Sequence, residues 1–175
     1  MLNDKTQDFM KQIILSLCLL LAGLQAKAGD GDKFFTANAG FLFRSTLNAS
    51  LGYEHELTNG NAVELLGEVG NHWQRNPDTN KFDNANFWRG YYWDGGLLYK
   101  HRMAKYKNSA LRFRLGPLCG ANRGDYFFGV EAGLEYNLTF PSGVQLAFIQ
   151  KNNVNFLHGD RFRNGLMVGL RIPIN

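Results

Sequence analysis

Phe162-Arg163-Asn164-Gly165-Leu166-Met167-Val168-Gly169-Leu170-Arg171-Ile172-Pro173-Ile174 decides how this chain folds. Phe162, Leu166, Val168, Leu170, Ile172 and Ile174 fall on one parity, and Arg163, Gly165, Met167, Gly169 and Arg171 on the other. A period of two is the signature of a β-strand, whose successive side chains point to opposite faces. One face here is apolar, and the other mixes guanidinium groups with glycine. Working back along the chain, Leu47, Ala49, Leu51, Tyr53, His55 and Leu57 alternate with Thr46, Asn48, Ser50, Gly52, Glu54 and Glu56. Similar runs at 33–43, 62–73, 88–101, 110–120, 126–138 and 144–151 bring the number of predicted strands to eight. Thr58-Asn59-Gly60-Asn61 carries an Asn-Gly hairpin signal of type I′, and Pro141-Ser142-Gly143 is a second tight turn. The stretches 74–87 and 152–161 lack periodicity and read as loops, and no helical pattern of useful length follows residue 28.

Alternation alone does not separate a soluble antiparallel sheet from a membrane barrel, because both place one face against apolar surroundings. The polar face decides. Gly40, Gly52, Gly70, Gly96, Gly116, Gly120, Gly129, Gly133, Gly165 and Gly169 share it with long charged side chains. Glycine weakens a solvated sheet face, whereas in a narrow barrel small residues make room for large ones. The apolar parity holds Phe35, Phe41, Phe43, Leu65, Val69, Trp93, Leu97, Leu111, Phe113, Leu115, Phe128, Val130, Leu134, Val144, Leu146 and Phe148, with no Asp, Glu, Lys or Arg among them. Such an absence is expected of a wall facing lipid. Tyr53, Trp73, Tyr91, Tyr99, Tyr126 and Tyr136 sit near run ends, as interfacial girdles do. Mean hydropathy stays at −0.28 because half of every strand faces inward.

Composition agrees. In 175 residues, 45% apolar and 19% charged, 20 glycines against 4 prolines exclude disorder and collagen. The apolar run at 13–24 is too short for a spanning helix. With Lys5 and Lys11 before it and Ala26-Lys27-Ala28 after it, residues 1–28 read as a secretory signal peptide, and 29–175 as one barrel domain. Cys18 follows Leu17 rather than a small residue, which argues against a lipoprotein anchor. Removing Lys5, Lys11, Lys27, Asp4 and Asp8 takes the formal net charge from +4 to +3, too balanced to argue for nucleic acid. Cys119 alone survives processing, so an internal disulfide is excluded, and it reads as a small lipid-facing filler.

The inward set brings Glu54, Glu56, Glu64, Glu68, Glu131 and Glu135 together with Lys100, Arg112, Arg114, Arg163 and Arg171. In a bore of eight strands these are expected to form a salt-bridged plug rather than an open pore. Backbone in hydrocarbon must satisfy its hydrogen bonds internally, so strand 33–43 must close on strand 162–174. An even strand count places both termini on one side, the periplasm, together with turns 58–61, 102–109 and 139–143. Arg44-Ser45 and the loop 74–87 fall on the outer side.

Catalytic motifs are missing: there is no nucleotide-binding loop, paired metal-ligand cysteines or Gly-x-Ser-x-Gly elbow. His55, His72, His101 and His158 lie on separate segments and read as structural or surface residues, so neither a metal nor a cofactor is expected. Some small outer-membrane barrels are lipid-modifying hydrolases with His and Ser two residues apart. Here His158-Gly159-Asp160 has a carboxylate at the second place, and Leu57 follows His55. In the loop 74–87, Arg75, Asn76, Asp78 and Lys81 are the candidates for contact with a partner or sugar.

Glu131-x-Gly-x-Glu135-Tyr136, Gln150-Lys151-Asn152-Asn153-Val154-x-Phe156, Arg161-Phe162-Arg163-Asn164-Gly165-Leu166-x-Val168-Gly169-Leu170 and Ile172-Pro173-Ile174-Asn175 resemble the TraO proteins of Bacteroidetes conjugative transposons. The resemblance implies an exported outer-membrane barrel of a Gram-negative bacterium. It further implies a non-enzymatic part in the mating apparatus, as an anchor or docking protein. Outer-membrane lipid and other conjugation proteins are the partners it implies, and direct nucleic-acid binding is not expected of a filled bore. The residues themselves leave three other readings open. These are a general barrel for adhesion or envelope stability, a lipid-modifying hydrolase, and a soluble lipocalin-like barrel that buries its aromatics inward.

Overall fold

A computed structural model describes residues 31–43, 46–72, 90–122, 125–156 and 161–174. The proposed signal peptide at 1–28, Arg44-Ser45, Trp73, the loop 74–87 and His158-Gly159-Asp160 lie outside the described residues. Eight strands run β1 (Lys33–Leu42), β2 (Thr46–Glu56), β3 (Ala62–His72), β4 (Tyr91–Tyr106), β5 (Ser109–Asn122), β6 (Asp125–Thr139), β7 (Gln145–Asn155) and β8 (Phe162–Ile174). Each pairs antiparallel with the next, and β1 closes on β8 from Lys33↔Ile174 to Leu42↔Gly165. The result is an eight-stranded antiparallel up-and-down barrel with no open edge along the closed ring.

The alternation maps onto the barrel as its chemistry requires. Thr46, Asn48, Ser50, Gly52 and Glu54 point inward, while Leu47, Ala49, Leu51 and Tyr53 are exposed on the outer wall. In β8 Arg163, Met167 and Arg171 are buried, and Leu166, Val168, Leu170 and Ile172 are exposed. Buried polar and charged side chains outnumber buried apolar ones. That inverts a water-soluble domain, in which large apolar groups fill the core. A closed ladder with an apolar exterior is the architecture of a transmembrane β-barrel. The exposed charged strand residues, Lys33, Lys105 and Asp125, all lie at or next to a strand end. Tyr53, Tyr99 and Tyr136 stand outward toward the end where β1 begins and β8 finishes, and Tyr91 and Tyr126 toward the other. Leu97 keeps the outward parity but is covered, at 6% exposure.

Several boundaries differ from the sequence reading. The expected turn 102–109 is mostly strand: β4 runs on to Tyr106, and Lys107-Asn108 makes the link, with Lys107 at φ 46°. A bulge at Met103, between the pairs Arg102↔Arg112 and Ala104↔Leu111, shifts the register there. Because β3 stops pairing at Ala62↔Lys100, the β4–β5 hairpin stands beyond its neighbour at the end where β1 begins and β8 finishes. β7 continues to Asn155, into the stretch expected to be a loop. Asn59-Gly60 does not form a type I′ turn, since only Gly60 has a positive φ, 78°. Leu57 N donates to Asn61 O and Gly60 N to Leu57 O, a type I turn closed by a left-handed glycine. The same pattern recurs at 140–144 around Gly143.

Inward glycines stand opposite large partners. Gly70 faces Tyr92 across the ladder, Gly40 faces Met167 and Gly165 faces Leu42. A Cβ on Gly70 would fall within the Tyr92 ring, whereas one on outward Gly67 would meet nothing within 4 Å. Gly70→Leu is therefore expected to destabilise the barrel by about 1–3 kcal/mol, with Gly67→Leu neutral or stabilising, in urea unfolding followed by gel mobility. Val168→Arg, on the outer wall, should cost about 2–4 kcal/mol in liposomes; an unchanged unfolding midpoint would mean that this wall does not face lipid.

Candidate functional site

The interior charges, contributed by β2 to β8, form the most elaborated chemistry of the barrel. Lys100 of β4 extends its Nζ to Glu54 Oε2 of β2 at 2.6 Å, Glu64 Oε2 of β3 at 2.9 Å and Glu135 Oε2 of β6 at 2.8 Å. Arg114 reaches Glu131 at 2.8 Å, Glu135 at 3.1 Å and Glu64 at 3.5 Å. Arg112 meets Glu56 at 2.5 Å and Glu54 at 3.3 Å. Arg171 of β8 also pairs with Glu54, and its guanidinium lies 4.2 Å from the Phe34 ring centre. Lys151 bridges Glu68 and Glu131, which joins all of these groups in one network.

Every sequence-predicted member of this set is inward, but they do not all meet. Glu54, Glu56, Glu64, Glu68, Lys100, Arg112, Arg114, Glu131, Glu135 and Arg171 join the network, whereas Arg163 stands apart from it toward the outer end of β8. Arg163 stacks 3.7 Å over the Tyr92 ring and 4.7 Å from that of Phe127, with Asp94 Oδ2 3.8 Å away. Asp94 and Lys151 were not anticipated. Both had a legible signal: Asp94 lies on the parity opposite Trp93, and Lys151 on the parity opposite Leu146 and Phe148. Interior amides extend the polar lining, as Asn48 Nδ2 donates to Glu68 Oε1 at 2.7 Å and to Tyr92 OH at 2.5 Å. Thr36 Oγ1 donates to Glu64 Oε1 at 2.6 Å.

Glu54, Glu64, Glu131, Glu135, Lys100, Lys151 and Arg171 are each less than 2% exposed. Side chains bordering a continuous water lane would be wetted, so the bore is filled at this level. Each of these ions has at least two oppositely charged partners within 4.0 Å, which answers the cost of burying it, although Glu64 Oε2 and Glu131 Oε1 accept no hydrogen bond. The arrangement joins strands that are distant in the chain. Of the histidines, His72 Nδ1 lies 3.0 Å from Thr46 Oγ1, His55 is half-buried and outward, and His101 is exposed. Among the described residues no three His, Cys, Asp or Glu side chains converge as metal ligands. Cys119 is a free, exposed thiol on the outer parity. The loop residues Arg75, Asn76, Asp78 and Lys81 lie outside the described residues.

No protein-family model and no curated protein matches the chain. Among solved structures, a chain from "De novo design of transmembrane beta-barrels" is similar at 10% identity, covering 85% of this chain and 99% of that one, with a TM-score of 0.47.

Lys100→Met would remove the one cation that Glu54, Glu64 and Glu135 share and leave them to the flanking Arg112, Arg114 and Arg171, and a loss of about 3–5 kcal/mol is expected from breaking buried pairs. Pairing it with Glu135→Gln should recover part of that loss in urea titrations. Strict additivity of the two substitutions would show that the groups act independently.

Proposed function

We propose that this chain is a non-enzymatic outer-membrane component of a conjugative DNA-transfer apparatus, a rigid anchor to which other transfer proteins dock. The observation that carries the anchoring role is the filled bore: a cylinder crossed by buried ion pairs is suited to holding position rather than to conduction. The mating role rests on the resemblance of residues 131–175 to TraO proteins. In this reading a signal peptide at 1–28 directs export, and lipid surrounds the outer wall. The end that carries the termini then faces the periplasm.

That end also offers the docking surface. The β4–β5 hairpin stands proud of β3 and exposes Met103, Lys105, Tyr106 and Lys107. The loop 74–87 would present Arg75, Asn76, Asp78 and Lys81 on the opposite, extracellular side. Neither surface requires nucleic acid to touch the barrel.

Deleting the gene from a transmissible element and scoring mating frequency tests the reading. Transfer is expected to fall sharply and to return on complementation. Unchanged transfer would reject the mating role while leaving the barrel architecture intact.

A further inference from the structure

We propose that Gln150, Asn152 and Asn164 form a lateral contact through which two copies of this chain pair side by side in the membrane. All three amides lie on the outward parity of β7 and β8, and Asn152 and Asn164 are direct cross-strand partners. They are not at the rim of the apolar wall. Val154 and Phe162, paired with each other, lie toward the loop end, and Leu166, Phe148 and Val168 lie toward the other. Among the described residues the other outward polar side chains lie closer to one end of the wall: Lys33, His55 and Asn71 at or next to the last pair of a ladder, and His101 and Ser109 beyond the last β3–β4 pair, Ala62↔Lys100.

The patch satisfies itself only in part. Gln150 Nε2 donates to Asn152 Oδ1 at 2.8 Å, and Asn152 Nδ2 donates to Ala132 O at 3.2 Å. The Asn164 side chain makes no hydrogen bond to any described residue. An amide facing hydrocarbon without a partner is costly, and Asn and Gln side chains are effective glue between membrane-embedded surfaces. A charged lipid headgroup would call for cations, yet no outward residue of β6, β7 or β8 is Lys or Arg. Uncharged amides, by contrast, each carry donor and acceptor, so the patch complements itself. A copy inserted in the same direction holds its amides at the same depth. A two-fold axis along the bilayer normal therefore brings the two patches face to face.

The full-length protein, refolded into non-ionic detergent and into nanodiscs, is the sample for the test. Light scattering should give twice the polypeptide mass for the wild type. It should give the single-chain mass for Gln150→Leu/Asn152→Leu/Asn164→Leu, whose folding is checked independently by heat-dependent gel mobility. In a Cys119→Ser background, Asn164→Cys should cross-link with a short bis-maleimide in membranes, while Val69→Cys on the opposite wall should not. A monomeric wild type overturns the proposal, as does a dimer that persists in the triple variant. A monomer whose retained lipid mass disappears in the triple variant also overturns it, and assigns the patch to lipid. None of these results depends on whether the barrel serves conjugation.

Discussion

The ammonium of Lys100 touches carboxylates from three strands, β2, β3 and β6, at 2.6, 2.9 and 2.8 Å. Three acids converging in a closed space repel one another, and burial strips them of water, so they can share that space only around a cation. The cation in turn needs walls that keep it from lipid. Closure of β1 on β8 supplies them, because a ring without free edges separates an inside from an outside. Barrel closure and the ion network are thus mutually dependent. An open sheet bearing the same residues would expose either its backbone edges or its charges to hydrocarbon.

From that dependence the rest of the packing follows. Ten or so large polar side chains fit into a narrow bore only where neighbouring positions are nearly empty, which is why Gly70 stands against Tyr92 and Gly165 against Leu42. Arg171 over Phe34 and Arg163 over Tyr92 close the polar column toward its two ends with ring faces. A cylinder filled in this way resists deformation and offers no lane through its centre. Whatever the protein does is then carried by its outer wall and its two ends, where the β4–β5 hairpin is the most prominent described feature at one of them.

The strand count, the closing pair and the sidedness of each strand were legible because hydrophobic alternation has the same period as the strand itself. Legibility failed where alternation lost its meaning. In Gln150-Lys151-Asn152-Asn153 both faces are polar, so β7 was cut short and Lys151 missed, although its parity was inward. Beyond Lys100, β4 passes into surroundings where neither face must be apolar, and the bulge at Met103 shifts the register, so strand was mistaken for turn. The hairpin at 57–61 kept its predicted place but not its type, since a three-residue loop needs one left-handed residue and Gly60 supplies it.

Sequence by itself determined which residues face hydrocarbon and which face the axis, because that choice is made locally, one residue at a time, by the cost of exposing charge to lipid. Which acid meets which base was decided only by the tertiary structure. Glu54 and Arg171 are 117 residues apart in the chain, and Glu54 and Lys100 are 46 apart. Their contact depends on the order of strands around the ring and on the register of every ladder between them. A shift of two residues in any one ladder would keep each side chain on its proper face and still part these pairs.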